Sequence, residues 1–257
     1  MYDLGIVGGG LAGLALAIES AKAGHKVILF EKETYPYHKV CGEYISNESW
    51  TYLQSLGIDL DQMDLPKINQ LKISSAEGNE LNQRLDKGGF GISRYKLDYE
   101  LAQIAKKVGV ILLENTKIES VHTNGDGAIF KTTDKTFHAK IAVGAHGKRA
   151  NLDKNLNRRF IAKPQPASKN YVGIKYHIKA NLPNELIGLH LFKNGYCGIS
   201  KVEGNDRFCL CYLTLASNLQ QAGSIHEMEK TILTENSYLK KYLDFERYYT
   251  EPLVISQ

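Results

Sequence analysis

The sequence has no run of eighteen apolar residues, so no stretch of it reads as a membrane-spanning helix. It has no long basic run either, and a net charge of +4 spread along the chain gives no ground for nucleic-acid binding. Cysteine is scarce. Cys41, Cys197, Cys209 and Cys211 form neither the paired C-x-x-C sets of a zinc site nor the dense framework of a small secreted protein. Reduced thiols and a cytoplasmic location are the expectation, and no metal site is expected. Asp3 stands where a signal peptide needs a basic region, and Gly8-Gly9-Gly10 interrupts the apolar start, so the N-terminus reads as a strand and a turn.

What is present is ordinary for a globular chain of 257 residues: 43% apolar and 23% charged, enough for one large domain or two interleaved ones. Leu4 to Val7 is a short apolar run bounded by glycines, as in a buried parallel strand. A helix follows with Leu11, Leu14, Ala15 and Ile18 on one face, and Val27 to Phe30 is a second buried strand. Together they make one βαβ unit. A loop over Tyr35–Glu43, helices over Asn47–Leu56 and Arg94–Val108, and strands at Val110–Leu113, Lys117–His122, Ala128–Thr132 and Lys140–Val143 are expected next. After Gly147 the composition turns basic and polar, which predicts a boundary or linker over Lys148–Lys169. Strands at Tyr171–Ile178, Ile187–Phe192, Tyr196–Val202 and Phe208–Leu215 and a helix at Ile225–Leu233 complete the reading. The expected fold class is α/β, with a Rossmann-like dinucleotide-binding domain at 1–164 and an antiparallel-sheet substrate domain at 165–257.

The chemistry lies first in Gly8-Gly9-Gly10-Leu11-Ala12-Gly13, a G-x-G-x-x-G motif that follows a buried strand, opens a helix, and has Glu31 at the end of the next strand. Gly8 suits a tight turn, Gly10 a close approach to a pyrophosphate, and Gly13 close packing of helix on strand. The helix start at Leu11 and Ala12 presents N–H groups to the diphosphate, and Glu31, followed by Lys32, can accept from the ribose hydroxyls of an adenosine. The motif alone does not separate FAD from NAD.

Three further segments carry a resemblance. Pro36-Tyr37-His38-Lys39-Val40-Cys41-Gly42 is similar to the P-x-x-K-x-C-G loop of geranylgeranyl reductases. Ile92-Ser93-Arg94-Tyr95-Lys96-Leu97-Asp98 is like the segment where an arginine begins a helix near the flavin. Gly144-Ala145-His146-Gly147-Lys148-Arg149-Ala150 stands at the G-A-D-G-x-x-S position, with His146 and Ala150 replacing the usual Asp and Ser. The chain thus resembles the FAD flavoproteins that include geranylgeranyl reductases, p-hydroxybenzoate-hydroxylase-type enzymes and flavin-dependent halogenases. That resemblance implies FAD as cofactor, with NAD(P)H as a candidate electron donor. It implies that Lys39 and Cys41 lie beside the flavin, that Arg94 meets the flavin or its diphosphate, and that Val121 meets the adenine through its backbone. On residue type alone, Cys41 is a small buried hydrophobe, Arg94 a surface residue at a helix start, and His146 a residue on a solvated loop.

The family's third flavin segment, G-D-A-A-G, is not found, and the chain is expected to be a piece truncated before it. A single tryptophan, Trp50, leaves no W-x-W-x-I-P segment, so halogenation is not expected. The resemblance implies an FAD-dependent oxidoreductase delivering hydride to an apolar isoprenoid or polyene substrate, with peripheral membrane contact left open. An FAD-dependent monooxygenase and a non-catalytic prenyl-binding protein of the same fold are the alternatives. Cys209 and Cys211 are read as core, Tyr238–Tyr249 as a solvated helix face, and no histidine as a general base.

Overall fold

The computed structural model describes residues 1–147, 152–156, 158 and 170–256. In chain order the elements are β1 (Tyr2–Val7), α1 (Leu11–Lys22), β2 (Val27–Phe30), β3 (Tyr44–Ser46), α2 (Trp50–Leu56), β4 (Lys67–Ser74), β5 (Glu80–Gly91) and α3 (Arg94–Lys107). They continue as β6 (Ile111–Leu113), β7 (Ser120–Asn124), β8 (Gly127–Lys131), β9 (Thr136–Gly144), α4 (Leu152–Asn155), β10 (Tyr171–Lys179), β11 (Leu186–Phe192), β12 (Gly195–Lys201) and β13 (Arg207–Leu215). The last are α5 (Ala216–Ala222), α6 (Ile225–Thr231), α7 (Ser237–Leu243) and β14 (Leu253–Ser256). No helix among the described residues is long and apolar enough to cross a membrane.

Two compact units result. The first comprises Met1–Tyr37, Leu53–Ile58 and Arg94–Pro164; the second comprises His38–Tyr52, Asp59–Ser93 and Gln165–Gln257. The single cut expected at 164/165 falls outside the described residues. The units themselves are discontinuous, because β3, β4 and β5 hydrogen-bond into the sheet of the C-terminal strands rather than the N-terminal one.

The first unit is a six-stranded sheet in the order β6-β2-β1-β9-β8-β7, parallel from β6 to β9 and antiparallel beyond. β2 is buried at all four positions, as a parallel strand covered on both faces must be. Its Phe30 ring packs against Phe130 and Phe137 at 5.4 and 5.1 Å between centroids. α1 carries Leu14, Ala17 and Ile18 into this core at helical spacing.

The second unit is an eight-stranded sheet in the order β14-β10-β13-β12-β11-β4-β5-β3, antiparallel except where β11 runs parallel to β4. One face of β10 and β13 packs Ile174, Tyr176, Ile178, Leu210 and Tyr212 against α6 and α7. There the hydroxyls of Tyr176 and Tyr212 donate to Glu229 at 2.8 and 2.7 Å, so the buried carboxylate is paired. The Tyr238–Tyr249 stretch, expected to be a solvated face, instead buries Leu239 and Tyr242 from α7 in this core.

Candidate functional site

The glycine turn joins β1 to α1 as the sequence predicts. Gly8 has φ +107°, and a Cβ there would lie 2.4 Å from the Ala145 carbonyl oxygen. At Gly13 a Cβ would lie 1.9 Å from the Gly8 carbonyl oxygen, a backbone atom that cannot move aside. Gly10 is the extended N-cap of α1, with no side chain capping the helix and no acidic residue in its first turn. The N–H groups at Leu11 and Ala12 therefore face outward with the positive end of a twelve-residue helix behind them. Such a terminus suits a diphosphate.

Glu31, at the end of β2, is buried. Its Oε2 accepts the Gly9 N–H at 2.8 Å and its Oε1 the Glu33 N–H at 3.0 Å. The Tyr35 hydroxyl donates to the Gly9 carbonyl. Burial, followed by the nearby Glu31 charge, raises the Tyr35 and Tyr37 phenols well above their usual range, so both stay protonated donors. The Tyr37 hydroxyl also hydrogen-bonds the Glu31 carboxylate, and the accepting capacity left on its two oxygens matches a ribose diol. The adenosine-diphosphate end of FAD fits these residues. Lys32, by contrast, points its ammonium at Glu33 at 3.5 Å and is largely exposed.

The segment after β9 is brought against the turn: the Ala145 N–H donates to the Val7 carbonyl at 2.8 Å. His146, expected on a solvated loop, is 13% exposed, with Nδ1 2.8 Å from the Gly147 carbonyl and Nε2 3.8 Å from Asp153 Oδ1. Asp153, on α4, puts a carboxylate near the position where the family's aspartate is absent. Lys148, Arg149 and Ala150 lie outside the described residues. Val121 is on β7, the edge strand, where it pairs with Phe130. Arg94 does begin α3, but its guanidinium forms a two-pronged pair with buried Asp98, at 2.7 and 2.9 Å.

Lys39 and Cys41 belong to the second unit, where the sheet clamps the backbone of their loop. Lys175 Nζ donates to the Lys39 carbonyl at 3.1 Å, Cys209 Sγ to the Cys41 carbonyl at 3.3 Å, and Ser200 Oγ to the Gly42 carbonyl at 3.4 Å. The anchor is Glu43, buried, at φ +57°, in the left-handed region that non-glycine residues rarely occupy. Its carboxylate takes the Lys175 ammonium on Oε1 and faces His177 Nε2 at 2.6 Å on Oε2. Burial opposes the charge on Glu43, but the His177 hydrogen bond and the Lys175 cation outweigh it and hold the carboxyl below its usual value.

Sequence reading missed Glu43, Lys175 and His177. The signal was a lysine and a histidine two apart inside the apolar strand Tyr171–Lys179, which places both on one face. It also treated Cys209 and Cys211 as core without chemical neighbours. The fold in fact sets Glu43, His177 and Cys209 with ligand atoms within 4.8 Å of one another. Burial pushes the Cys211 thiol up to about 12 and Cys209 well above the ordinary thiol value. With protonated thiols and an ammonium already on Glu43, the cluster works as a hydrogen-bonded clamp.

A family described as an FAD binding domain matches residues 1–187. Conditioned medium factor receptor 1 of Dictyostelium discoideum is 23% identical over 289 residues, covering 98% of this chain and 54% of that protein. Menaquinone reductase of Mycobacterium tuberculosis is 27% identical over 165 residues, covering 62% of this chain and 40% of that one. A geranylgeranyl bacteriochlorophyll reductase-like protein of Thermoplasma acidophilum has the same fold, with TM-score 0.77 and 16% identity over 99% of this chain and 66% of its own. The chain thus spans about half or less of the length of these two curated relatives. Since the family match runs through well over half of the sequence and includes the turn whose geometry suits a diphosphate, the chain belongs to the FAD binding domain family.

Proposed function

We propose that this chain binds FAD and serves an FAD-dependent oxidoreductase of the geranylgeranyl-reductase-like branch, acting on an apolar isoprenoid or polyene substrate. The observation that carries the reading is the uncapped start of α1 beside a buried Glu31 whose oxygens retain accepting capacity. Bound FAD would supply hydride transfer from its N5. The chain's part is to hold and orient. Gly8, Gly10 and Gly13 let the backbone approach the diphosphate, Leu11 and Ala12 offer N–H groups, and Glu31 accepts from the ribose. Lys39 and Cys41 are assigned to the border of the flavin ring, on a loop whose carbonyls are tied down by Lys175, Ser200 and Cys209. Their placement would then not depend on loop ordering at each turnover. Arg94 is assigned to the flavin side in the same way, its fork held by Asp98, and NAD(P)H is the proposed electron donor.

Titration of the purified chain with FAD, followed by flavin fluorescence and visible absorbance, tests the reading. Quenching that saturates, and that Glu31→Ala weakens about tenfold or more, supports it. A chain that takes up no flavin, alone or with its sequence extended beyond Gln257, would favour the non-catalytic binding protein of the same fold. If flavin binds, anaerobic reduction by NADPH and oxygen consumption in step with product separate a reductase from a monooxygenase.

A further inference from the structure

Gly8, Gly9 and Gly10 are consecutive, so the two peptide groups flanking Gly9 have no adjacent Cβ to hinder their rotation. In the folded turn both are held by side chains. The peptide between Gly8 and Gly9 is held by its N–H, which donates to Glu31 Oε2 at 2.8 Å. The peptide between Gly9 and Gly10 is held by its oxygen, which accepts the Tyr35 hydroxyl. Tyr35 lies past the end of β2, outside the glycine motif.

In a trans peptide the N–H and the C=O point in opposite directions. With the Gly9 oxygen drawn to Tyr35, the Gly10 N–H is turned away from Tyr35. Gly10 is the N-cap of α1, so this N–H is one of the four at the helix start that the helix itself does not use. Rotating the peptide by half a turn would exchange its two ends and put an oxygen where the N–H stood. At a terminus that suits a diphosphate, that exchange replaces an attractive dipole with a repulsive one.

Tyr35 is well fixed for this task. It is buried, and its own N–H donates to Glu114 Oε2 at 2.8 Å. A Cβ on Gly9 would lie 2.0 Å from the Tyr35 hydroxyl oxygen, so the hydroxyl fills the space that a side chain at Gly9 would need. The Tyr37 ring packs on the Tyr35 ring with centroids 5.6 Å apart, and the Tyr37 hydroxyl bonds to Glu31. Burial, followed by the Glu31 charge, keeps both phenols protonated and able to donate.

We propose that Tyr35 is a positioning residue for the diphosphate: through the Gly9 carbonyl it locks the Gly9–Gly10 peptide with the N–H toward the ligand, while Tyr37 steadies Glu31 for the ribose. The inference rests on the FAD reading.

Calorimetric titration of the full chain with ADP and with adenosine tests it, in the native chain and in Tyr35→Phe and Tyr37→Phe. Both ligands carry the ribose, and only ADP carries the diphosphate. Tyr35→Phe keeps the ring and is expected to weaken ADP about tenfold while adenosine stays within about twofold. Tyr37→Phe is expected to weaken both ligands by the same factor. A general loosening of the fold would not give that split. Native-like ADP binding in Tyr35→Phe, equal loss of ADP and adenosine there, or an ADP-only loss in Tyr37→Phe would each overturn the proposal and leave the flavin reading standing. A native chain that binds neither ADP nor FAD would overturn both.

Discussion

Glu31 Oε2 accepts the backbone N–H of Gly9 at 2.8 Å, tying the end of β2 to the glycine turn twenty-two residues earlier. The acid of the motif thus supports the turn as well as standing ready for a ribose. Glu31→Gln is expected to disturb both roles. Its two oxygens each accept a backbone N–H, and an amide can accept through only one, leaving a donor facing a donor. A loss of about 1–3 kcal/mol in stability, together with weaker FAD binding, is expected from denaturant unfolding and fluorescence titration.

Gly13→Ala places a Cβ against the Gly8 carbonyl, and the backbone of the turn must shift to admit it. Destabilisation of about 1–3 kcal/mol and loss of FAD binding are expected. Gly24→Ala meets nothing within 4 Å and suffers only from its φ of +88°. Thermal melts of the two variants should show the smaller penalty, about 1 kcal/mol, at Gly24, and FAD binding there should be unchanged.

Lys175 stands at the middle of β10, and its ammonium is fully enclosed with the Glu43 carboxylate. Lys175→Met removes the ammonium that compensates this buried carboxylate. A loss of about 3–5 kcal/mol in denaturant unfolding is expected. The double variant with Glu43→Gln should recover part of it, because no uncompensated buried charge then remains.

Stability should fall in acid through His190. Its ring is buried, with Nδ1 2.8 Å from Ser74 Oγ, and burial lowers its pKa from 6.5 to about 4. The unfolded chain binds a proton there first, so the contribution is fully present above pH 6.5 and is lost as pH drops toward about 4. The linked loss is on the order of 2–3 kcal/mol. Unfolding at pH 7 and at pH 5 should show a flatter dependence in His190→Gln than in the native chain. Equal slopes would remove His190 as the cause.

The βαβ unit was legible because its signals are local. A buried parallel strand reads as an apolar run, an amphipathic helix repeats at i, i+3, i+4 and i+7, and a glycine turn needs specific residue types in sequence. For the same reason α3 and strands β10 to β13 fall close to where the pattern puts them. β5 was not legible: six of its first eight residues, Glu80 to Lys87, are polar and the two leucines stand four apart, so no alternation marks a strand.

By itself, then, the sequence determined the α/β class, the dinucleotide turn and the position of its acid. Tertiary structure alone decided that β3, β4 and β5 join the C-terminal sheet, since strand partners are chosen by backbone hydrogen bonds that leave no trace in side-chain periodicity. It also decided that Glu43, Lys175 and His177 meet. Glu43 lies more than 130 residues from the other two, and their meeting depends on sheet register, which no local pattern records.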